Sequence, residues 1–62
     1  MEALDKAIVT LIRDNLHLYN TAVKDIINNH KDTLTGMDVY RLEYLIGGLN
    51  LGLEYSEKIL KD

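Results

Sequence analysis

The chain has 62 residues without proline or cysteine, and ten acidic and seven basic side chains give a net charge of −3 with both histidines neutral. This length allows one domain at most (1–62), and the lack of cysteine excludes disulfides and thiolate metal sites. The basic residues are scattered, which argues against nucleic-acid binding, and no apolar run approaches the about 20 residues of a membrane span.

The first predicted element is a long amphipathic helix over about residues 3–30. Its apolar residues recur at helical spacing and stay within an arc of about 180°, at about 100° per residue. They are Leu4, Ile8, Leu11, Ile12, Leu18, Tyr19, Ala22, Val23, Ile26 and Ile27. The weak point is Tyr19 to Thr21, where β-branched and capping-type residues could bend or restart the helix. We expect one helix, with any kink located there.

Asn15 interrupts this arc, in phase with its apolar residues. A polar residue at a seam position can specify register and oligomer state at some cost in stability. Alternatively, Asn15 lies at the edge of the stripe and bonds to water or backbone. The sequence leaves both interpretations open.

The connection over about residues 31–35 ends in a helix-start signal. Thr35 is the expected N-cap, and Asp38 three residues later completes a pair that resembles a capping box. Leu34 and Val39 can pack together across the helix start as a hydrophobic staple. A turn this short makes the two helices antiparallel neighbours, so the predicted fold is an all-α antiparallel helical hairpin.

The second predicted helix, about residues 36–60, has two apolar faces. One is a seam with steps of three and four, typical of packed helices: Val39, Leu42, Ile46, Leu49, Leu53, Ser56 and Leu60. On the other side we define a tyrosine–glycine face as the candidate interface: Tyr40, Tyr44, Gly47, Gly48, Leu51, Gly52 and Tyr55. A chain of this size can cover one of these faces but hardly both.

The tyrosine–glycine face allows several interpretations. Its glycines could bend the helix, allow a close helix crossing in an oligomer through the Gly48-x-x-x-Gly52 spacing, or open a groove. Its tyrosines could cover the flank of the hairpin, form a self-association surface, or bind a protein partner or a planar ligand.

Catalytic, metal and cofactor signals are missing from the sequence. His17 and His30 have no ligand-type residue one helical turn away, and we expect both to be solvated. An acidic flank of helix two is expected to face solvent, where it could steer a basic partner: Glu43, Asn50, Glu54 and Glu57. No nucleophile–base pair or phosphate-binding loop is present, so we expect no enzyme activity and no cofactor.

These patterns predict a hairpin that assembles as a homo-oligomeric bundle, with a dimer favoured. The leading functional hypothesis is a small cytoplasmic interaction protein, a regulator or inhibitor that occupies a partner's surface. The size of the chain would suit a bacterial or phage origin, and its start lacks the basic segment of a signal peptide. One alternative is an oligomer that binds a planar, nucleotide-like ligand. A DNA-binding helix-turn-helix is disfavoured because both helices are too long and the second is acidic.

Overall fold

A computed structural model describes residues 2–61 as two antiparallel helices joined by a short turn. Helix α1 spans Ala3–Asn29 and helix α2 spans Gly36–Lys61. The predicted all-α hairpin is confirmed, and α1 continues without interruption through Tyr19 to Thr21. The hairpin is elongated, 47 × 15 × 12 Å. Its radius of gyration is 14.4 Å, against about 10.6 Å for a compact domain of this length.

The turn between the helices is organised by the backbone carbonyl of His30. This oxygen accepts hydrogen bonds from the N–H groups of Thr33 and Leu34, both at 3.0 Å, and from the Thr33 hydroxyl at 3.1 Å. No residue from 2 to 61 has a positive φ. The chain therefore reverses direction without needing glycine in a left-handed conformation.

Helix α2 begins with the predicted capping box. The N–H of Asp38 donates to the Thr35 hydroxyl, and the N–H of Thr35 donates to the Asp38 carboxylate, each at 3.1 Å. The Thr35 backbone N–H, together with the Thr35 side chain, holds the pKa of Asp38 below its ordinary value of 3.8. These bonds satisfy two backbone donors that a helix start otherwise leaves without partners.

Thr35→Ala is expected to lower the free energy of unfolding by about 1 kcal/mol.

Because the pKa of Asp38 is lowered by folding, its carboxylate contributes stability above the unfolded-state pKa. That contribution is lost as the pH falls through the lowered folded-state value. The stability difference between the natural chain and Asp38→Asn should therefore shrink in acid, measured by thermal unfolding at matched protein concentration. A difference that stays constant with pH would contradict this role of the carboxylate.

The two helices meet along the predicted seam of α2 and along one edge of the α1 arc. All seven seam residues of α2 are buried or half-buried. On α1, however, the contact runs along Val9, Arg13, Leu16, Asn20, Val23 and Ile27. Only Val23 and Ile27 belong to the arc identified from the sequence. The rest of that arc is exposed.

The hairpin has very little core of its own. Within residues 2–61 the buried apolar side chains are Val23 and Leu53, each 8% exposed, and no large side chain is fully buried. Over the same range, neither helix combines the length and apolar character that crossing a membrane requires. The packing of two helices thus leaves most of the large apolar side chains in contact with solvent.

Candidate interaction surface

Leu16 of α1 packs against Gly52 of α2. A Cβ atom added at Gly52 would lie 3.2 Å from Cδ1 of Leu16. The missing side chain leaves room for the leucine, and Gly52 is half-buried. Gly52 therefore serves a crossing inside the hairpin, whereas an added Cβ at Gly47 or Gly48 would meet no atom of residues 2–61 within 4 Å apart from its chain neighbours and the helix's own backbone.

Gly52→Leu is expected to destabilise the hairpin by about 1–3 kcal/mol, because the added side chain must displace Leu16. Gly47→Leu is the matched control: it makes the same substitution in the same helix, at a position where the single hairpin leaves space. There the better helix propensity should stabilise by about 0.8 kcal/mol. Chemical denaturation of both variants measures the difference. Equal effects would contradict the assignment of Gly52 to the helix crossing.

A polar pair, buried Asn20 and exposed Asn50, lies close to this crossing. The Asn20 side-chain amide donates a hydrogen bond of 2.6 Å to Oδ1 of Asn50. Asn20 is buried, and its own Oδ1 has no hydrogen-bond partner among residues 2–61. An unsatisfied buried acceptor costs about 1–3 kcal/mol. The hydrogen bond between Asn20 and Asn50 joins the two helices at this level of the hairpin.

These two contacts show which sides of the helices lie together. On α1, at about 100° per residue, Leu16 is rotated roughly 40° from Asn20 toward Ile12 on the apolar edge, and Asn20 is rotated toward Lys24 on the polar edge. On α2, Gly52 stands one turn from Tyr55, in the tyrosine–glycine face.

Asn50, in contrast, stands one turn from Glu54 in the acidic flank. Because Leu16 contacts Gly52 and Asn20 contacts Asn50, the apolar edges of the two helices coincide and so do the polar edges. The hairpin is therefore amphipathic as a whole, with one apolar side and one polar side.

We define the apolar side by the large apolar side chains that remain exposed, seven on each helix. On α1 they are Leu4, Ile8, Leu11, Ile12, Leu18, Tyr19 and Ile26. On α2 they are Met37, Tyr40, Tyr44, Leu45, Leu51, Tyr55 and Ile59. Large patches of exposed apolar surface commonly mark interaction sites, so this side is the candidate interaction surface.

The tyrosine–glycine face belongs to this side. The rings of Tyr40 and Tyr44 are 5.5 Å apart and tilted, and Tyr44 is 72% exposed. The Lys58 ammonium lies 5.7 Å from the centre of the Tyr55 ring and 3.5 Å from the Glu54 carboxylate. Six of the seven residues predicted for this face are exposed, and Gly52 is the one turned toward α1.

Asn15 is also exposed on the apolar side. It stands in the middle of a row on α1 that we call the α1 stripe: Leu4, Ile8, Leu11, Asn15, Leu18, Ala22 and Ile26. Every member of the row is exposed, so Asn15 does not take part in closing the hairpin. The sequence left Asn15 either at a seam position or at the edge of the stripe, and in the hairpin the row that contains it is not covered by α2.

The groups that could carry chemistry lie apart from one another. His17, His30 and the acidic flank are exposed. Among residues 2–61, no three His, Asp or Glu side chains are placed to hold one metal ion. The same residues form no pocket that could enclose a small molecule. The apolar side is the most distinctive surface of the hairpin.

Comparisons with models of protein families, with curated proteins and with solved structures gave no match. Sequence reasoning overlooked Leu16, Asn20 and Asn50 as determinants of the helix contact. Asn20 was noted only as part of a weak helical segment, and Asn50 as part of the acidic flank. The available signal was an asparagine near the middle of each helix, because an antiparallel hairpin brings such positions close together.

Proposed function

We propose that this protein is a non-enzymatic interaction module that associates with a second copy of itself through its apolar side. Two hairpins stacked in this way form a four-helix bundle, and a two-fold dimer is the commonest symmetry. The bundle then acts as a cytoplasmic regulator or inhibitor by occupying the surface of a protein partner.

The observation that carries the proposal is that most of the large apolar side chains are exposed, while the core between the two helices is very small. The total solvent-accessible surface of the hairpin is 4794 Å², whereas that of a compact monomer of 7.1 kDa is about 4,100 Å². The excess of about 700 Å² is close to the about 800 Å² that each partner buries in a standard interface. Covering the apolar side would give the chain the core that two helices alone do not supply.

Sedimentation equilibrium combined with circular dichroism over a wide range of protein concentration tests the proposal. We expect a mass of two chains, with the helical signal and the dimer lost together on dilution, because folding and association are coupled. A well-folded monomer at micromolar concentration would overturn it.

Tyr44→Ala then separates the two uses of the tyrosine–glycine face. Tyr44 is largely exposed in the hairpin, so its removal should leave the hairpin contacts intact. Loss of the dimer would place Tyr44 in the self-interface. A retained dimer that no longer binds a protein partner would place it in a target-binding surface. The hypothesis of a planar ligand stays a prediction, and such a ligand would need a site completed by a second copy.

A further inference from the structure

We infer that the second copy packs on the α1 stripe with its own α1, so that Asn15 lies beside Asn15 of the other chain. This inference rests on the proposed self-association and specifies its geometry. It concerns the part of the α1 arc that α2 leaves uncovered.

The spacing of the α1 stripe is that of a helix-pairing seam. From Leu4 to Ile26 its residues follow steps of four, three, four, three, four and four. Alternation of threes and fours over about three heptads indicates packing against another helix along its full length. The intramolecular neighbour does not supply that helix, because Leu11 is 61% and Leu18 is 63% exposed.

The position of Asn15 indicates where the symmetry axis passes. Asn15 is equidistant from Leu4 and Ile26, eleven residues from each (15 − 4 and 26 − 15). An antiparallel two-fold pairing that covers the whole stripe therefore brings Asn15 next to its own copy. A parallel two-fold pairing of the same stripes does so as well, because each residue then faces its equivalent.

Asn15 also has the chemistry for such a contact. A carboxamide buried between leucines needs hydrogen-bond partners, since leaving it unsatisfied costs about 1–3 kcal/mol. A second asparagine offers both an N–H donor and a carbonyl acceptor, so the pair can satisfy itself. Registers that place Asn15 against leucine lose these bonds, which makes asparagine a determinant of register.

The main rival geometry pairs α2 with α2. The exposed row of α2 runs from Met37 to Ile59, and its midpoint is Gly48. A two-fold axis through that row would bring Gly48, and not Asn15, beside its copy. The two midpoints lie at different levels along the hairpin, because the observed pairing of Asn20 with Asn50 places Gly48 level with about residue 22, roughly 10 Å along the helix axis from Asn15. One two-fold axis across the helices therefore cannot serve both midpoints.

Single-cysteine variants distinguish the two geometries cleanly, because the natural chain contains no cysteine. Asn15→Cys, Gly48→Cys and Thr21→Cys are oxidised with copper-phenanthroline at a concentration where the natural chain is dimeric, and linked chains are quantified on non-reducing gels. A disulfide forms readily only when the two Cα atoms come within about 7 Å. Thr21, exposed on the polar edge of α1, is the control for random collision.

We expect Asn15→Cys to link at least tenfold faster than Thr21→Cys and than Gly48→Cys. Faster linking of Gly48→Cys, or equal rates for Asn15→Cys and Thr21→Cys in a chain that sediments as a dimer, would overturn the inference and leave the proposed self-association in place. A natural chain that sediments as a folded monomer would overturn both.

Discussion

Leu11→Glu/Leu18→Glu is expected to convert the dimer into unfolded or partly folded single chains. Both leucines are more than 60% exposed in the hairpin, so a monomer would lose little by the change. In the proposed dimer each buried leucine contributes about 1.5–3 kcal/mol. With four such side chains per dimer, the dissociation constant should rise roughly a thousandfold or more. Sedimentation equilibrium measures the mass, and circular dichroism the helix content.

A matched control places the same charges on the polar side of α1. His17→Glu/Thr21→Glu changes the net charge from −3 to −5, as the leucine variant does, at two exposed positions of the same helix. This control should retain the dimer. If both variants dissociate equally, general charge repulsion explains the loss, and the α1 stripe has no special role.

Leu53→Ala is expected to remove most of the stability of the hairpin. Leu53 is one of the two buried apolar side chains among residues 2–61. Truncation of a buried leucine costs about 2–5 kcal/mol, whereas a chain of this length has roughly 3–9 kcal/mol in total. Thermal and urea unfolding at matched concentration should show a large drop in midpoint, with helix content reduced even before heating.

Glu57→Ala is the comparison for this substitution. Glu57 lies one helical turn after Leu53 and is exposed in the acidic flank, so the variant changes the same helix without touching the seam. It should shift the unfolding midpoint only slightly, because alanine is the best helix former and no packed contact is lost. A loss equal to that of Leu53→Ala would mean that the seam does not hold the helices together.

Much of the fold could be predicted because its signals are local. The capping box needs only Thr35 and Asp38 at the right spacing, and both hydrogen bonds are present. The seam of α2 stands out because its apolar residues follow steps of three and four and are bordered on one side by the acidic flank. The second apolar face of α2 could be recognised for the same reason, since two separated rows on one helix cannot both contact one neighbour.

The rotation of α1 about its own axis could not be predicted. Its apolar arc, about 180° wide, is broader than the strip that a single neighbouring helix covers. Several rotations would have buried similar apolar areas, and periodicity alone does not choose between them. The choice depends on contacts between residues distant in sequence: Leu16 fits against Gly52, and Asn20 bonds to Asn50.

The sequence by itself determined two helices, their antiparallel connection and a surplus of apolar surface, because periodicity, capping and turn length act within a few residues. Only the tertiary structure decided which part of that surplus remains exposed. It placed the α1 stripe, with Asn15 at its centre, beside the tyrosine–glycine face on one side of the hairpin. The physical reason is that steric and polar complementarity between the helices, at Gly52 and at the asparagine pair, sets how they rotate against each other.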